Sequence, residues 1–405
     1  MVRLIPKTSF LVLAVALHAA DIRAIIPKNG VPPIGPYSPG VLAGDYLYVS
    51  GQGAKKPDGQ MPATFAEQTR QTLENVKNVV ESAGLTMKNV VYAQVYLDDI
   101  HNFAAMNRVY AEYFRETPPA RATIGVAKLP GGTPVEINAV AVRNLSDKKA
   151  VAPASYQSDE PLSPGILTRD RLFLSAMRGD SSAKPEQQVN SALDGLQSVV
   201  EAAGLKMDNI VFVNPYLTSK IPMKVMNSLY AKRFQFGNTP GRATIEVTSL
   251  PENAQIEFTG VAIRNIAERR AIRPKNMEPS PTASPCVFAG DTLYCSAKSG
   301  FIPGLNSGIF TPAVDLQLRQ TMRNLLDNLE EAGLTFDDVV STNVYLDDLS
   351  DFAAMNKLYA KYFTGIPPAR TTIQQVAPLD RGKGADDTYP TLEQISLIAV
   401  KRKTR

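Results

Sequence analysis

The chain has 405 residues, of which 44% are hydrophobic and 20% charged, the composition of an ordinary soluble globular protein. Its net charge of +4 is small, and the basic excess falls at Arg269-Arg270 and Lys401-Arg402-Lys403 instead of in an aromatic-laced stripe, so nucleic acid is not an expected partner. With two histidines (His18 and His101), two cysteines, no cluster at metal-ligand spacing and no glycine-rich phosphate loop, histidine-based hydrolase or nuclease chemistry is disfavoured and no metal or organic cofactor is expected.

In chain order, Arg3 and Lys7 precede the apolar run from Phe10 to Leu17, followed by His18-Ala19-Ala20. This is the pattern of a signal peptide over residues 1–20, too short to span a bilayer, and it predicts export to the periplasm or outside the cell, with no membrane partner after cleavage. Val41 to Ala43 and Tyr46 to Ser50 read as a hairpin about Gly44-Asp45, and Gly51 to Pro62 as a loop. Thr64 with Glu67 three residues on is a capping box, and Leu73, Val76, Val79 and Val80 give the helix behind it an apolar face that ends at Gly84. A strand over 90–97 follows, with Val91, Ala93, Val95 and Leu97 on one side. A second helix over about 102–114 carries Phe103, Met106, Tyr110 and Phe114 and stops at Pro118-Pro119. Strands over 121–126 and 135–142 complete a β-β-α-β-α-β-β unit of α+β class.

The unit recurs. Ala83 to Ile124, the worn copy Ala203 to Ile245, and Ala332 to Ile373 align with a period of about 120 to 129 residues, far longer than a solenoid repeat. The expected domains are 25–143, 156–264 (divergent) and 283–405, joined by linkers over 144–155 and 265–282 rich in Lys, Arg, Pro and Ala. Each sheet has helices on one face only. Three copies can cover the other faces by turning them to a shared axis, which predicts an intramolecular pseudo-trimer acting as a monomer; independent beads are the alternative. Cys286 and Cys295 flank a hairpin turning at Gly290-Asp291 and face each other in register, so a disulfide staple and two buried thiols are both open.

The residues Gly35-Pro36-Tyr37-Ser38-Pro39-Gly40, Tyr48-Val49-Ser50-Gly51-Gln52, Val95-Tyr96-Leu97-Asp98-Asp99, Asn107, Pro119-Ala120-Arg121 and Val135-Glu136-Ile137 resemble the RidA family, also called YjgF, endoribonuclease L-PSP or liver perchloric-acid-soluble protein. The resemblance covers nearly all of each unit and is weakest in the second. It implies a chorismate-mutase-like fold with sheets inside, helices outside and ligand clefts between units. It also implies cofactor-free hydrolysis of reactive 2-imino or 2-enamino acids to 2-oxo acids and ammonia. Endoribonuclease activity and non-catalytic binding of small carboxylates are the alternatives within the family.

By that resemblance Arg121, Arg242 and Arg370 hold the substrate carboxylate, a role suited to a planar, permanently charged fork. Glu136 orients or activates the hydrolytic water, and Tyr37 belongs to the cleft. Ser50 with Gly51, Asn107 and Thr123 contact substrate, Ser50 as a hydrogen-bond donor; Asn107 is alternatively a satisfied core amide. The other copies are incomplete. Tyr37 is matched by Leu162 and Ala283, and counting along the last strand puts Gln394 in register with Glu136 and Glu257, with Glu393 on the opposite face. The first unit alone holds the whole set, so Arg121 is the expected catalytic arginine, with groups from a second unit able to complete the cleft. An Arg121 pointing into bulk solvent, or locked to an internal carboxylate with no adjoining cavity, would remove the deaminase reading that rests on it.

Overall fold

The structure, a computed structural model, describes residues 21–275, 277–303, 308–385 and 387–402; the segment read as a signal peptide lies outside them. The first unit runs β1 (Ile22–Ile25), β2 (Gly40–Ala43), β3 (Tyr46–Gln52), α1 (Phe65–Ser82), β4 (Val90–Leu97), α2 (Phe103–Tyr113), β5 (Ala120–Gly125) and β6 (Val135–Val142). Its sheet has the order β1-β2-β3-β6-β4-β5 and is antiparallel except between β4 and β5. Thr64 and Glu67 form the capping box at the start of α1, and Gly44 and Gly84 take the left-handed φ values of 56° and 78° that turn the hairpin and end the helix.

The second unit repeats the plan in β7 (Lys149–Val151), β8 (Gly165–Leu167), β9 (Arg171–Arg178), α3 (Pro185–Ala202), β10 (Ile210–Leu217), α4 (Met223–Ala231), β11 (Gly241–Arg242), β12 (Ile245–Glu246) and β13 (Ile256–Ile263). The third has β14 (Arg269–Ile272), β15 (Cys286–Ala289), β16 (Thr292–Ser299), α5 (Val314–Glu331), β17 (Val339–Leu346), α6 (Phe352–Tyr359), β18 (Ala369–Gln374) and β19 (Glu393–Val400).

Three details differ from the sequence reading. Each unit has a leading edge strand; β7 and β14 fall inside the stretches read as linkers and pair with β8 and β15. Only three or four residues long and half exposed, they carry too little periodicity to be seen. Val91 faces away from Ala93, Val95 and Leu97, because the register slips between Val90 and Tyr92 against β6, and a one-residue bulge reverses a side chain's face. The strand matching β5 is split into β11 and β12 in the second unit. The gap lies beside Pro215 of β10, which has no N–H to give to the ladder.

Each pair of helices packs on its own sheet through a separate core. Leu73, Val76, Val79 and Val80 of α1 meet Met106 and Tyr110 of α2 over Leu47, Val95 and Ile137, with matching clusters in the other units. Two further cores draw on all three units. One joins Tyr96 and Ile124 to Phe212 and Ile245 and to Tyr294 and Tyr345; the other joins Tyr46 and Val91 to Phe173 and to Val340. The bare sheet faces thus cover one another about a common centre, which is the pseudo-trimer. Cys286 and Cys295 are register partners and are disulfide-bonded.

The first residues of β3, β9 and β16 are Tyr46, Arg171 and Thr292. Arg171, 2% exposed, donates to the Thr292 hydroxyl at 2.6 Å and to the Tyr294 hydroxyl at 3.0 Å, lies 4.4 Å from the centre of the Tyr46 ring, and pairs with Asp170 at 3.2 Å. Three different side chains fill what would be three identical places in a homotrimer.

Leu325, fully buried in the third unit's core, and Leu316, 45% exposed on the same helix α5, separate the two faces. Leu325→Ala is expected to cost about 2–5 kcal/mol, and Leu316→Ala to stay within about 0.5 kcal/mol. Urea unfolding followed by circular dichroism measures both.

Candidate active site between the first and third units

The three arginines sit at equivalent places, each at the junction with another unit, and it is Arg370, not Arg121, that shares a cleft with Tyr37 and Glu136. The main-chain N–H of Arg121 donates to Ser175 Oγ, that of Arg242 to Ser296 Oγ and that of Arg370 to Ser50 Oγ, each at 2.8 Å. Each serine in turn donates at 2.6 Å to a carbonyl of its own unit, that of Ser163, Ser284 or Ser38. The ring therefore runs first to second, second to third, and third back to first, with one cleft at each junction. It also corrects the role expected of Ser50: a hydroxyl has one proton, and this one is given to Ser38, so Ser50 cannot donate to a substrate.

The cleft between the first and third units brings together Tyr37, Gly51 and Glu136 from one and Phe352, Arg370 and Thr372 from the other. Arg370 is 3% exposed and has no carboxylate within ion-pair distance among the described residues. Its guanidinium rests among aromatic rings, 5.1 Å from the centre of Tyr37, 5.0 Å from Tyr359 and 5.6 Å from Phe352. Among the described residues its one polar side-chain contact is a weak one, to Met355 Sδ at 3.8 Å. Burial lowers its pKa, yet a guanidinium stays charged at any ordinary pH.

Glu136 lies on β6 opposite Tyr96 and is 6% exposed. Burial pushes its carboxyl up to about 8, against the opposing pull of Arg370. A side chain at Gly51 would begin 1.9 Å from Glu136 Oε1, so the glycine is what admits the carboxyl. The Tyr37 hydroxyl accepts from the main-chain N–H of Ile34 at 3.3 Å, and burial raises its pKa. Thr372 Oγ1 and Asn356 Oδ1 are buried without hydrogen-bond partners, and Asn356 Nδ2 reaches Ile34 O at 3.4 Å. At neutral pH the cleft thus holds the Arg370 guanidinium, without an ion-pair partner among the described residues, beside a mostly protonated carboxyl, and Lys55 stands in the same lining.

The set expected of the first unit alone is divided between two clefts. Arg121 lies at the junction with the second unit, 1% exposed, its Nη2 donating to Glu160 at 3.1 Å. The other Glu160 oxygen pairs with Arg178. Arg121 is locked to an internal carboxylate, so it is not the free fork that the sequence reading required. Thr123 and Asn107 go with it by position, on β5 and α2 of the same unit; Thr123 Oγ1 and Asn107 Oδ1 are buried and unpartnered. Glu257 stands there opposite Tyr216, also pushed up to about 8 by burial.

The third cleft is plainer. Arg242 Nη1 donates to Asn227 Oδ1 at 2.7 Å, and Gln394 lies opposite Tyr345 at the register of Glu136. Glu393 points to the helix side, where Thr321 donates to it. Sequence reasoning missed Phe352 and Tyr359; their first-unit counterparts, Phe103 and Tyr110, read only as residues along a helix stripe. It also missed Gly35, where a side chain would begin 2.4 Å from Arg370 Nη2.

A carboxyl whose folded pKa is raised contributes stability that is complete below its unfolded value, here 4.5, and is lost as pH rises through about 8. Glu136→Gln should therefore decline less in stability between those limits than the unchanged protein. Thermal midpoints across that range give the comparison.

Comparison with known proteins agrees with the threefold repeat. Endoribonuclease L-PSP family matches cover residues 28–143, 155–264 and 275–385. A RutC family protein of Pyrococcus horikoshii is 43% identical over 121 residues, covering 29% of this chain and 96% of its own. The 2-iminobutanoate/2-iminopropanoate deaminase of Escherichia coli K12 is 42% identical over 125 residues, covering 30% of this chain and 98% of its own. Among solved structures, the YjgF gene product of Escherichia coli is 41% identical, covering 30% of this chain and 99% of that one, with a TM-score of 0.29. Three successive matches of this kind span most of the sequence, and the chain belongs to the RidA (endoribonuclease L-PSP) family in three tandem copies.

Proposed function

We propose that the protein hydrolyses small 2-imino or 2-enamino acids to 2-oxo acids and ammonia in the cleft between its first and third units. The observation that carries this is the buried, carboxylate-free guanidinium of Arg370 within one cavity with Glu136. The relatives named as 2-iminobutanoate/2-iminopropanoate deaminases support the reaction class. A single chain is sufficient, because both halves of the cleft are internal.

Arg370 takes the substrate carboxylate through its fork, an anion entering a largely buried site whose guanidinium has no ion-pair partner among the described residues, with Lys55 also in the lining. Tyr37 and Phe352 close over the short side chain. The protonated Glu136 gives its proton to the imine nitrogen, which makes C2 more electrophilic. As carboxylate it then removes a proton from the attacking water, so that C2 carries a hydroxyl and an amine. It returns that proton to the amine, the C–N bond breaks and ammonia leaves, while the C2 hydroxyl gives its proton to the Glu136 carboxylate, which forms the oxo acid and restores the protonated Glu136.

The Arg370–carboxylate pair is desolvated, so Arg370→Met should lower kcat/KM by at least about 30-fold, on the order of 2 kcal/mol. Arg121→Met should change it less than about threefold, because Arg121 faces a different cleft. An amino-acid oxidase generating the imino acid, with its disappearance followed spectroscopically, supplies the assay. Equal losses in the two variants would place the chemistry elsewhere, and carboxylate binding without turnover for several side chains would leave a binding protein.

Because Glu136 must begin protonated, kcat/KM should fall as pH rises through about 8. Glu136→Gln should lose most activity along with that pH dependence. A rate profile from pH 6 to 10 with both proteins decides it.

A further inference from the structure

The loop before the second strand of each unit holds the same frame, Ser38-Pro39, Ser163-Pro164 and Ser284-Pro285, and each of these serines is pinned in the same way. Its carbonyl accepts from the serine hydroxyl that anchors the junction, and its N–H donates to the proline two residues before the arginine, Pro368, Pro119 or Pro240. Three positions upstream of that serine stand Gly35, Glu160 and Pro281. That position is beside the guanidinium where it is Gly35 or Glu160, and its sequence counterpart in the third unit is a proline.

Gly35 does not adopt a left-handed backbone, so no conformational demand excludes a side chain there. Space does: a Cβ would lie 2.4 Å from Arg370 Nη2 and 2.8 Å from Asn356 Oδ1. Glu160, at the equivalent place in the second unit, occupies that volume and sets its carboxylate between Arg121 and Arg178, its own side chain only 13% exposed. The Arg121 guanidinium otherwise lies against Tyr110 and Phe103, 4.7 and 5.7 Å from the ring centres, as Arg370 lies against Tyr359 and Phe352. Arg121 Nε and Nη1 remain buried without acceptors.

We infer that the cleft between the first and second units is a second carboxylate-binding site, kept closed by Glu160 acting as a tethered ligand in place of a free monocarboxylate. A carboxylate on the same chain acts at an effective concentration of millimolar or more, so a free acid competes poorly with it. Glu160 Oε1 on Arg178 strengthens the hold, since one carboxylate then answers two buried cations. This inference concerns binding and does not rest on the Arg370 cleft being catalytic.

The test is made in full-length protein carrying Arg370→Met, which silences the open cleft; whatever binding remains belongs to Arg242. Acetate and 2-oxobutanoate are titrated calorimetrically with and without Glu160→Gly. One additional equivalent bound with Glu160→Gly, together with a melting midpoint that acetate raises, is expected. No added equivalent in a folded protein overturns the inference. Should Glu160→Gly fail to fold, Glu160→Gln keeps the volume and removes the charge. It should melt lower than its parent and gain nothing from acetate, because the amide still fills the place; melting equal to the parent overturns the proposal. The converse change, Gly35→Glu in otherwise unaltered protein, should abolish carboxylate binding at Arg370, and retained binding there counts against a tethered carboxylate being able to close such a cleft.

Discussion

One hydrogen bond, made three times, orders everything else. A serine hydroxyl at the end of the second strand of a full hairpin accepts the N–H of the arginine that opens the parallel edge strand of the preceding unit. It fixes the arginine main chain against a neighbour, so that the guanidinium is presented to a cleft whose other wall comes from that neighbour. The serine's own proton goes to a carbonyl of its own loop. An unmade bond here would strand a buried N–H at a cost of about 1–3 kcal/mol at each junction. The closing contact, third unit to first, joins the two ends of the chain. That is the contact that assembles Tyr37, Gly51 and Glu136 with Arg370 and Thr372.

Covalent fusion lets equivalent places diverge. Aligning the three units matches Gly35 with Glu160 and Pro281, Glu136 with Glu257 and Gln394, and Tyr37 with Leu162 and Ala283. A homotrimer must repeat each choice three times, and three copies of Arg171 meeting where the units converge would repel one another. Here a single Arg171 is shared by Tyr46, Thr292 and Tyr294, which only a chain with three different units can arrange. Such a contact also fixes which unit sits beside which, as a buried polar group fixes register in a coiled coil.

Helix faces, caps, the hairpins and the threefold repeat were all legible in the sequence, because their signals are local: an apolar period, a Thr64–Glu67 pair, a glycine in a turn. The arginines and Glu136 were legible by their resemblance to a family, and Gln394 by counting along one strand, where a slip of one residue would have exchanged it with Glu393. What the sequence did not carry was connectivity between units. Nothing in Pro119-Ala120-Arg121 says whether its side chain faces Tyr37 or a tyrosine's replacement in the next unit; packing of the bare sheet faces decides that. Glu160 was hidden for a related reason. In Gln157-Ser158-Asp159-Glu160 it stands in a polar stretch at the start of the second unit, and only the alignment of Ser163-Pro164 with Ser38-Pro39 puts it at the arginine.

The two arginine clefts also show what a buried cation needs. Arg121 and Arg178 have Glu160, while Arg370 has aromatic faces and a thioether. Each cation–π contact is worth about 0.5–2 kcal/mol, and none satisfies the in-plane N–H groups. A guanidinium held this way lines the cleft with a thioether as its one side-chain acceptor among the described residues. A bound carboxylate would supply both charge and acceptors at once. The glycines at 35 and 51 matter in this light because each withholds a side chain, the first from Arg370 and the second from Glu136. The open cleft is defined as much by those two missing side chains as by the charged groups they expose.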